Sequence, residues 1–474
     1  MLILVRIWLV MNKLILCCIS VLILALFIGF NFIYKSHLLA YIPYEHVLGA
    51  RTISTDSTYA LMYGVGVDMS QLLSTSPKYV VNSKGEDLID IAARLGINMF
   101  RITNAKPSYE DKEPIYTKAE WNIVLNKMQN KGIKAIILVE SSRIYQKYIP
   151  PAYLPFVQSY LIDSGVLSHP AVYGVDLYNE VVVNSDDNLS KLKTAAQMIK
   201  SNYPKTRITL GWWAVDTFKK DQAGDPIYKW DDYSVGKKLN NFIDFYSIHM
   251  YGFDKPFLGF YPDPYIYAKG FIADVKNGLQ TKKPILIEEF GAANGDAVSD
   301  QDTIGSAELQ ANTYAGAYQA IIDAKDPQLL GTTAYQYNSR EKGPDAWAIL
   351  KDNGDYLFPA AYVLQAYATH KNVLPFVFPF TKILNSYLLT NADNESTKTI
   401  HVTDIVGFKL LLDPSQEYTL TMSGNNVLTT TQHLTNYWGQ NKYYAAFHAN
   451  AVGNTIVSVN QGDQHVFQVS IAVQ

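Results

Sequence analysis

The sequence predicts a (β/α)8 barrel followed by an antiparallel β-sandwich, with a membrane-spanning helix ahead of both. Three observations carry this expectation. Short apolar runs alternate with amphipathic segments from residue 61 to 370. The apolar period changes to two beyond that point. Residues 14 to 34 form an uncharged apolar stretch between Lys13 and Lys35.

That stretch comes first. At about 1.5 Å per residue it is long enough to cross a hydrocarbon core of about 30 Å, whereas the apolar part of a cleavable signal usually runs about 7–15 residues. We therefore expect residues 1–35 to be an uncleaved signal anchor. Arg6 and Lys13 precede the span, which keeps the N-terminus cytoplasmic and exports the rest; a secreted chain without the segment is the alternative. Both cysteines, Cys17 and Cys18, lie inside the stretch. The exported part thus has no disulfide, thiol nucleophile or thiolate metal site, and its core must stabilise it. Residues 36–60 read as a linker.

The barrel elements follow in order. The run 63 to 68 (YGVGVD) precedes a helical segment at 84 to 95, and 98 to 104 (NMFRITN) is the second strand. Thr117-Lys-Ala-Glu120 is a capping-box pattern. Trp121, Val124, Leu125 and Met128 then recur at i, i+3, i+4 and i+7, and Gly132 stands where a C-terminal cap belongs. The third and fourth strands are 134 to 140 (KAIILVE) and 172 to 180 (VYGVDLYNE), with a helix at 188 to 203. Then come 207 to 213 (RITLGWW) and 245 to 252 (FYSIHMYG), a helix at 265 to 279, 284 to 291 (PILIEEFG), a helix at 306 to 325, and 332 to 338 (TTAYQYN). Nearly continuous apolar runs fit parallel strands buried on both faces. Eight such units over residues 61–370 indicate the closed barrel, with a doubly wound open sheet as the alternative. No G-x-G-x-x-G or P-loop follows an early strand, which counts against the open sheet.

In residues 371–474, Tyr418, Leu420 and Met422 alternate with Thr419, Thr421 and Ser423, and Phe467, Val469 and Ile471 with Gln468 and Ser470. This is the period of half-buried strands. Turn signals such as Ser423-Gly424-Asn425-Asn426 and Asn460-Gln461-Gly462-Asp463 separate them, so the second domain reads as an accessory β-sandwich.

Composition narrows the partners. Of 474 residues 13% are aromatic and 18% charged, with 40 Lys plus Arg against 43 Asp plus Glu, a formal charge of −3. This excludes a disordered chain and implies no nucleic-acid partner. The scattered His residues show no H-E-x-x-H spacing, so neither metal nor cofactor is expected, and no G-x-S-x-G elbow appears.

In a barrel the chemistry sits where strands end. Four runs end in reactive groups: Arg101 on the second, Asn179-Glu180 on the fourth, His249 and Tyr251 on the sixth, and Glu288-Glu289 on the seventh. Two carboxylates projecting into one mouth suit glycoside hydrolysis, which needs a proton donor and a second carboxylate facing the anomeric carbon. Trp212 and Trp213 close the fifth run, and Tyr251, Tyr337 and Trp347 follow the sixth and eighth, where flat rings can stack on sugars. Neighbouring strand residues face opposite sides, so one of the two Trp residues packs under the helices. Glu140 is read as an ion-pair partner of Arg101 or Arg143, with lining of the site as the alternative.

GVDLYNE, YSIHMYG and PILIEEFGA resemble the fourth-, sixth- and seventh-strand signatures of clan A retaining glycoside hydrolases, closest to the cellulase and mannanase family, glycoside hydrolase family 5. The resemblance implies that Glu180 is the acid/base, Glu289 the nucleophile and Asn179 a contact to a sugar 2-OH. His249, Tyr251 and Arg101 take the remaining site positions. The substrate it implies is a β-linked poly- or oligosaccharide, cleaved by double displacement. A carbohydrate-binding pseudoenzyme is the alternative. The residue before the nucleophile is usually small in this family but is Glu288 here. If Ile285 and Ile287 face inward, Glu289 does too and Glu288 points to the helices. The Trp that often ends the eighth strand is absent from TTAYQYN, leaving Tyr335, Tyr337 or Trp347 in its place.

Overall fold

The computed structural model describes residues 61–103, 116–139, 149–180, 186–213, 219–220, 226–227, 233–253, 264–298, 305–338, 346–369, 386–424, 426–436 and 441–474. The anchor and linker, Glu140 and Arg143 lie outside them. Among the described residues no helix is long and apolar enough to cross a membrane.

Eight strands close a barrel: β1 (Met62–Asp68), β2 (Met99–Thr103), β3 (Lys134–Leu138), β4 (Val172–Asn179), β5 (Arg207–Trp213), β6 (Tyr246–Met250), β7 (Ile285–Phe290) and β8 (Leu329–Ala334). Each pairs in parallel with its sequence neighbours in the barrel, and β8 pairs with β1. Helices α1 (Leu88–Leu95), α2 (Lys118–Asn130), α3 (Asp186–Asn202), α4 (Pro264–Leu279), α5 (Ala307–Ala324) and α6 (Pro359–Thr369) belong to the same domain. Seven strands coincide with the predicted runs to within two residues. The eighth begins earlier, at Leu329, and its Leu330 packs against the apolar plug at the foot of the barrel; Tyr335 and Tyr337 follow it with backbone bonds to Phe290 and Gly66.

Local signals explain the helix ends. Thr117 and Glu120 cap α2 reciprocally, and Trp121, Val124, Leu125 and Met128 are its buried face. Asp87 caps α1, which stops at Gly96 in a left-handed conformation (φ 76°). Removing such a cap costs about 1 kcal/mol.

Strand alternation splits the core in two. Met99, Ile136, Phe245 and Leu286 point inward and plug the barrel. Phe100, Ile137, Val175, Ile248, Ile285 and Ile287 point outward into the layer under the helices.

The second domain contains two four-stranded sheets. Strands β9 (Ser386–Thr390), β10 (Ser396–Ile400), β11 (Ile405–Leu411), β12 (Thr419–Ser423), β13 (Leu428–Thr435), β14 (Lys442–Ala449), β15 (Gly453–Gln461) and β16 (Gln464–Val473) are ordered β9-β11-β14-β13 and β10-β16-β15-β12. The expectation of a purely antiparallel sandwich is corrected: β9 pairs parallel with β11, and β10 parallel with β16. The reason is topological. Parallel neighbours need a crossover, and β10, lying in the other sheet, supplies it between β9 and β11.

This domain packs on the loop that leaves β7. Val298, Ile405, Tyr444 and Ala446 share one apolar cluster. The Val298 N–H donates to Gln432 Oε1 at 2.8 Å, and His448 Nε2 lies 3.3 Å from the Gly295 carbonyl.

Candidate active site

At the upper end of the barrel the inward positions change from apolar to ionisable. Above Met99 on β2 sits Arg101; above Tyr173 on β4 sits Asp176; above Phe245 and Ser247 on β6 sits His249; above Leu286 on β7 sits Glu288. Alternation alone would turn Glu289 away. It does not, because the ladder slips there: Ile248 pairs with Ile287, but His249 pairs with Glu289. The bulge brings two successive glutamates inside. The expectation that Ile285 and Ile287 face inward and Glu288 faces the helices is thus corrected. A second slip, between Asp176 and Asn179 on β4, precedes Glu180. Glu180 is left-handed (φ 54°), and its N–H donates to the Gly211 carbonyl at 2.8 Å. Such a conformation costs a non-glycine residue about 1–3 kcal/mol, and residues held so cluster at working sites.

Arg101 is the hub. Its Nη1 donates to Glu289 Oε1, its Nη2 to Asp176 Oδ2 at 2.6 Å and to Asn179 Oδ1 at 2.7 Å, and its Nε lies 3.4 Å from Glu288 Oε1. Burial opposes the charge on Arg101, yet Glu288, Glu289 and Asp176 hold its pKa well above the ordinary value. Because Asn179 Oδ1 is occupied, its amide N–H groups are the part left for a ligand. The Tyr251 hydroxyl donates to Glu289 Oε2 at 2.8 Å. His249 Nδ1 bridges the two glutamates, 2.7 Å from Glu180 Oε1 and 3.5 Å from Glu289 Oε2.

Oxygens of Glu180 and Glu289 and a ring nitrogen of His249 all lie within 4.8 Å of one another. The trio is compact, and its chemistry is that of a cation held between carboxylates. Burial works against a charged His249, and the carboxylates of Glu289, Glu180 and Glu288 outweigh it, raising its pKa to about 10. A protonated imidazole is a donor on both ring nitrogens, which suits His249 to its carboxylate neighbours.

These shifts set a pH dependence of stability. Asp176, raised to about 7 by burial and by Glu288 against the pull of Arg101, and His249 both bind protons more tightly folded than unfolded. A folded state that holds more protons loses stability as pH rises. The contribution of Asp176 is complete below its unfolded value of 3.8 and is lost as pH rises through about 7. That of His249 is complete below 6.5 and is lost through about 10. Urea midpoints are expected to fall from pH 5 to pH 10; a flat profile would refute the assignment.

Gly211 on β5 makes room for the cluster. A Cβ there would lie 2.9 Å from Asp176 Oδ2 and 3.0 Å from both Arg101 Nη2 and Glu288 Oε2. Gly211→Ala is expected to destabilise the fold by about 1–3 kcal/mol, measured by denaturant unfolding, with activity falling in parallel.

Arg101, Asn179, Glu180, His249, Tyr251 and Glu289 converge. Trp347, nearly buried, packs edge-on against Tyr251 (centroids 5.5 Å apart) and near the half-buried Tyr335 (6.4 Å). Tyr337 is corrected: it is fully buried, its ring packs on Phe100 and its hydroxyl donates to Leu88 O, so it belongs to the layer under the helices. Trp212 and Trp213 close β5, and their side chains lie outside what the structure describes. Sequence reasoning missed Asp176 and Gly211. A lone Asp inside the apolar run GVDLYNE was the available signal, since a buried acid in a strand requires a cation such as Arg101.

Residues 63–326 match the cellulase family, glycosyl hydrolase family 5. No curated protein sequence matches the chain. Similar solved structures include a family 2 β-galacturonidase from Eisenbergiella tayi bound to galacturonate, at 15% identity over 65% of this chain and 51% of that one, TM-score 0.45. An endo-β-1,4-mannanase from Thermotoga petrophila is similar at 14% identity over 89% and 99%, TM-score 0.42. An endoglucanase from Pseudomonas stutzeri is similar at 16% identity over 67% and 97%, TM-score 0.44. The chain spans about half the length of the first of these.

Proposed function

The chain belongs to glycosyl hydrolase family 5, a family of clan A retaining glycosidases, and on that premise we propose that it cleaves a β-linked poly- or oligosaccharide with Glu289 as nucleophile and Glu180 as acid/base. The observation that carries the retaining mechanism is the closeness of the two carboxylates. One oxygen of each lies within 4.8 Å of the other, which supports the retaining arrangement, whose carboxyl groups stand about 5–5.5 Å apart.

In the first step Glu180 gives its proton to the glycosidic oxygen as Glu289 attacks the anomeric carbon, and the C–O bond to the leaving sugar breaks. Arg101 and Tyr251, each bonded to one Glu289 oxygen, aim the nucleophile and pair with its charge. In the second step Glu180 takes a proton from water, whose oxygen displaces Glu289. His249, bonded to Glu180, holds the acid/base in place through both. The Asn179 amide is set to donate to the sugar 2-OH, and Tyr335 with Trp347 is the aromatic wall. Hydrolysis of a panel of β-glucans and β-mannans, followed by NMR, is expected to give a first-formed product of unchanged anomeric configuration. An inverted product would sink the nucleophile assignment.

We further propose that residues 1–35 anchor the enzyme with its barrel extracytoplasmic; loss of the barrel to external protease on intact cells is the expected result, and its protection would refute the orientation. The β-domain is proposed to be a structural partner, supported by Tyr444 lying in the contact with Val298. Gln432→Leu removes the Oε1 acceptor of the Val298 N–H and is expected to cost about 1–3 kcal/mol. Binding of polysaccharide by the isolated domain would overturn the structural role.

A further inference from the structure

Beneath the nucleophile lies a carboxyl group that the two-carboxylate mechanism does not use. The Glu288 side chain is fully buried, with Oε1 3.4 Å from Arg101 Nε and Oε2 3.7 Å from His249 Nε2. Neither oxygen has a hydrogen-bond partner. Asp176 faces it across the gap left by Gly211, where an added Cβ would lie about equally far from Asp176 Oδ2 and Glu288 Oε2. We propose that Glu288 is a positioning residue: with Asp176 it forms a buried carboxyl pair that shares one proton and holds Arg101 and His249 from below the nucleophile.

Charge balance carries the argument. Around Glu288 the described ionisable groups are Arg101 on β2, Asp176 and, past its end, Glu180 on β4, His249 on β6, and Glu289 on β7; β5 presents Gly211, and β8 presents Thr333, whose hydroxyl donates to the Glu288 carbonyl. Two cations face four acids. Glu180 must carry a proton to act as the acid, which still leaves one negative charge in excess. An unpaired ion in a site this dry costs far more than retaining a proton. Glu289 and Asp176 each accept hydrogen bonds on both oxygens, so both are better suited than Glu288 to carry a charge. Glu288 accepts none, so the surplus proton falls to its pair with Asp176. The upward displacement of Asp176 to about 7, caused by burial and by Glu288, agrees. A merely structural ion pair would leave both acids charged and would draw Arg101 Nε and His249 Nε2 closer to Glu288 than the 3.4 Å and 3.7 Å found.

The proposal rests on the Glu180 and Glu289 reading only for what the pair acts upon. As pH rises through about 7 the pair loses its proton and places a second negative charge under His249 and Arg101. That charge tightens the hold of Glu180 on its own proton and extends the alkaline limb of activity.

The test is an infrared titration of the resting protein from pH 5 to 9. The wild type is expected to show a protonated-carboxyl band that disappears near neutrality. Glu288→Gln should abolish that titration while the separate band of Glu180 remains, and Glu180→Gln should remove only the latter. In turnover, Glu288→Gln should shift the alkaline limb of kcat/KM to lower pH. A wild type without the band, or a band unchanged in Glu288→Gln, overturns the proposal. If Glu288→Gln does not fold, Asp176→Asn must abolish the same band. The band is read without substrate, so a protein that keeps it but cuts no sugar would strike the glycosidase reading alone.

Discussion

Glu289→Gln is expected to lower kcat by on the order of 10⁴–10⁶-fold, as loss of a covalent nucleophile does, equivalent to about 5–8 kcal/mol of barrier. The amide keeps the shape of the side chain but cannot form the glycosyl ester. Arg101 and Tyr251 then lose the anion they converge on, so the loss exceeds that of a positioning contact. Azide added to Glu289→Ala should restore turnover by direct displacement, giving a glycosyl azide of inverted configuration. Glu288→Gln is the internal control, because Glu288 lies deeper and its side chain is fully buried. Activity that survives Glu289→Gln but not Glu288→Gln would move the nucleophile by one residue.

Glu180→Gln should cost about 10²–10⁴-fold on unactivated polysaccharide, the usual worth of general acid/base catalysis. The loss depends on the leaving group. With an aryl glycoside that departs without a proton, the first step should proceed nearly as in the parent, and deglycosylation becomes limiting because no base activates the water. A burst of released phenol is the expected signature. An equal loss on both substrates, with no burst, would show that Glu180 serves geometry alone. His249 gives a second check. Its Nδ1 holds Glu180 at 2.7 Å, so His249→Phe should free the acid/base and lower kcat while leaving KM less affected.

Local chemistry made much of the barrel legible. The capping box at Thr117 and Glu120 and the face Trp121, Val124, Leu125 and Met128 depend only on neighbours within two turns, and α2 realises both. Strand ends were legible because apolar runs stop where a polar residue enters, and that placed Arg101, Glu180, His249 and Glu289 near one mouth. Position along a strand, however, does not fix the direction of a side chain once the ladder is irregular. Tyr337 reads as a rim aromatic by position, yet it packs on Phe100 and bonds to Leu88. In the β-domain, period two indicates strands but not which neighbour each pairs with, so the parallel pairs of β9 with β11 and β10 with β16 were invisible.

By itself the sequence determined the alternation of strands and helices, the family to which residues 63–326 belong, and the identities of the two carboxylates that meet across the cleft. Only the tertiary structure decided that Glu288 turns inward beside Glu289, that Asp176 stands beneath Arg101, and that Gly211 leaves the space they occupy. The reason is the slip between β6 and β7. One extra residue in a ladder reverses the face of everything after it, and the slip is set by pairing between strands far apart in the chain.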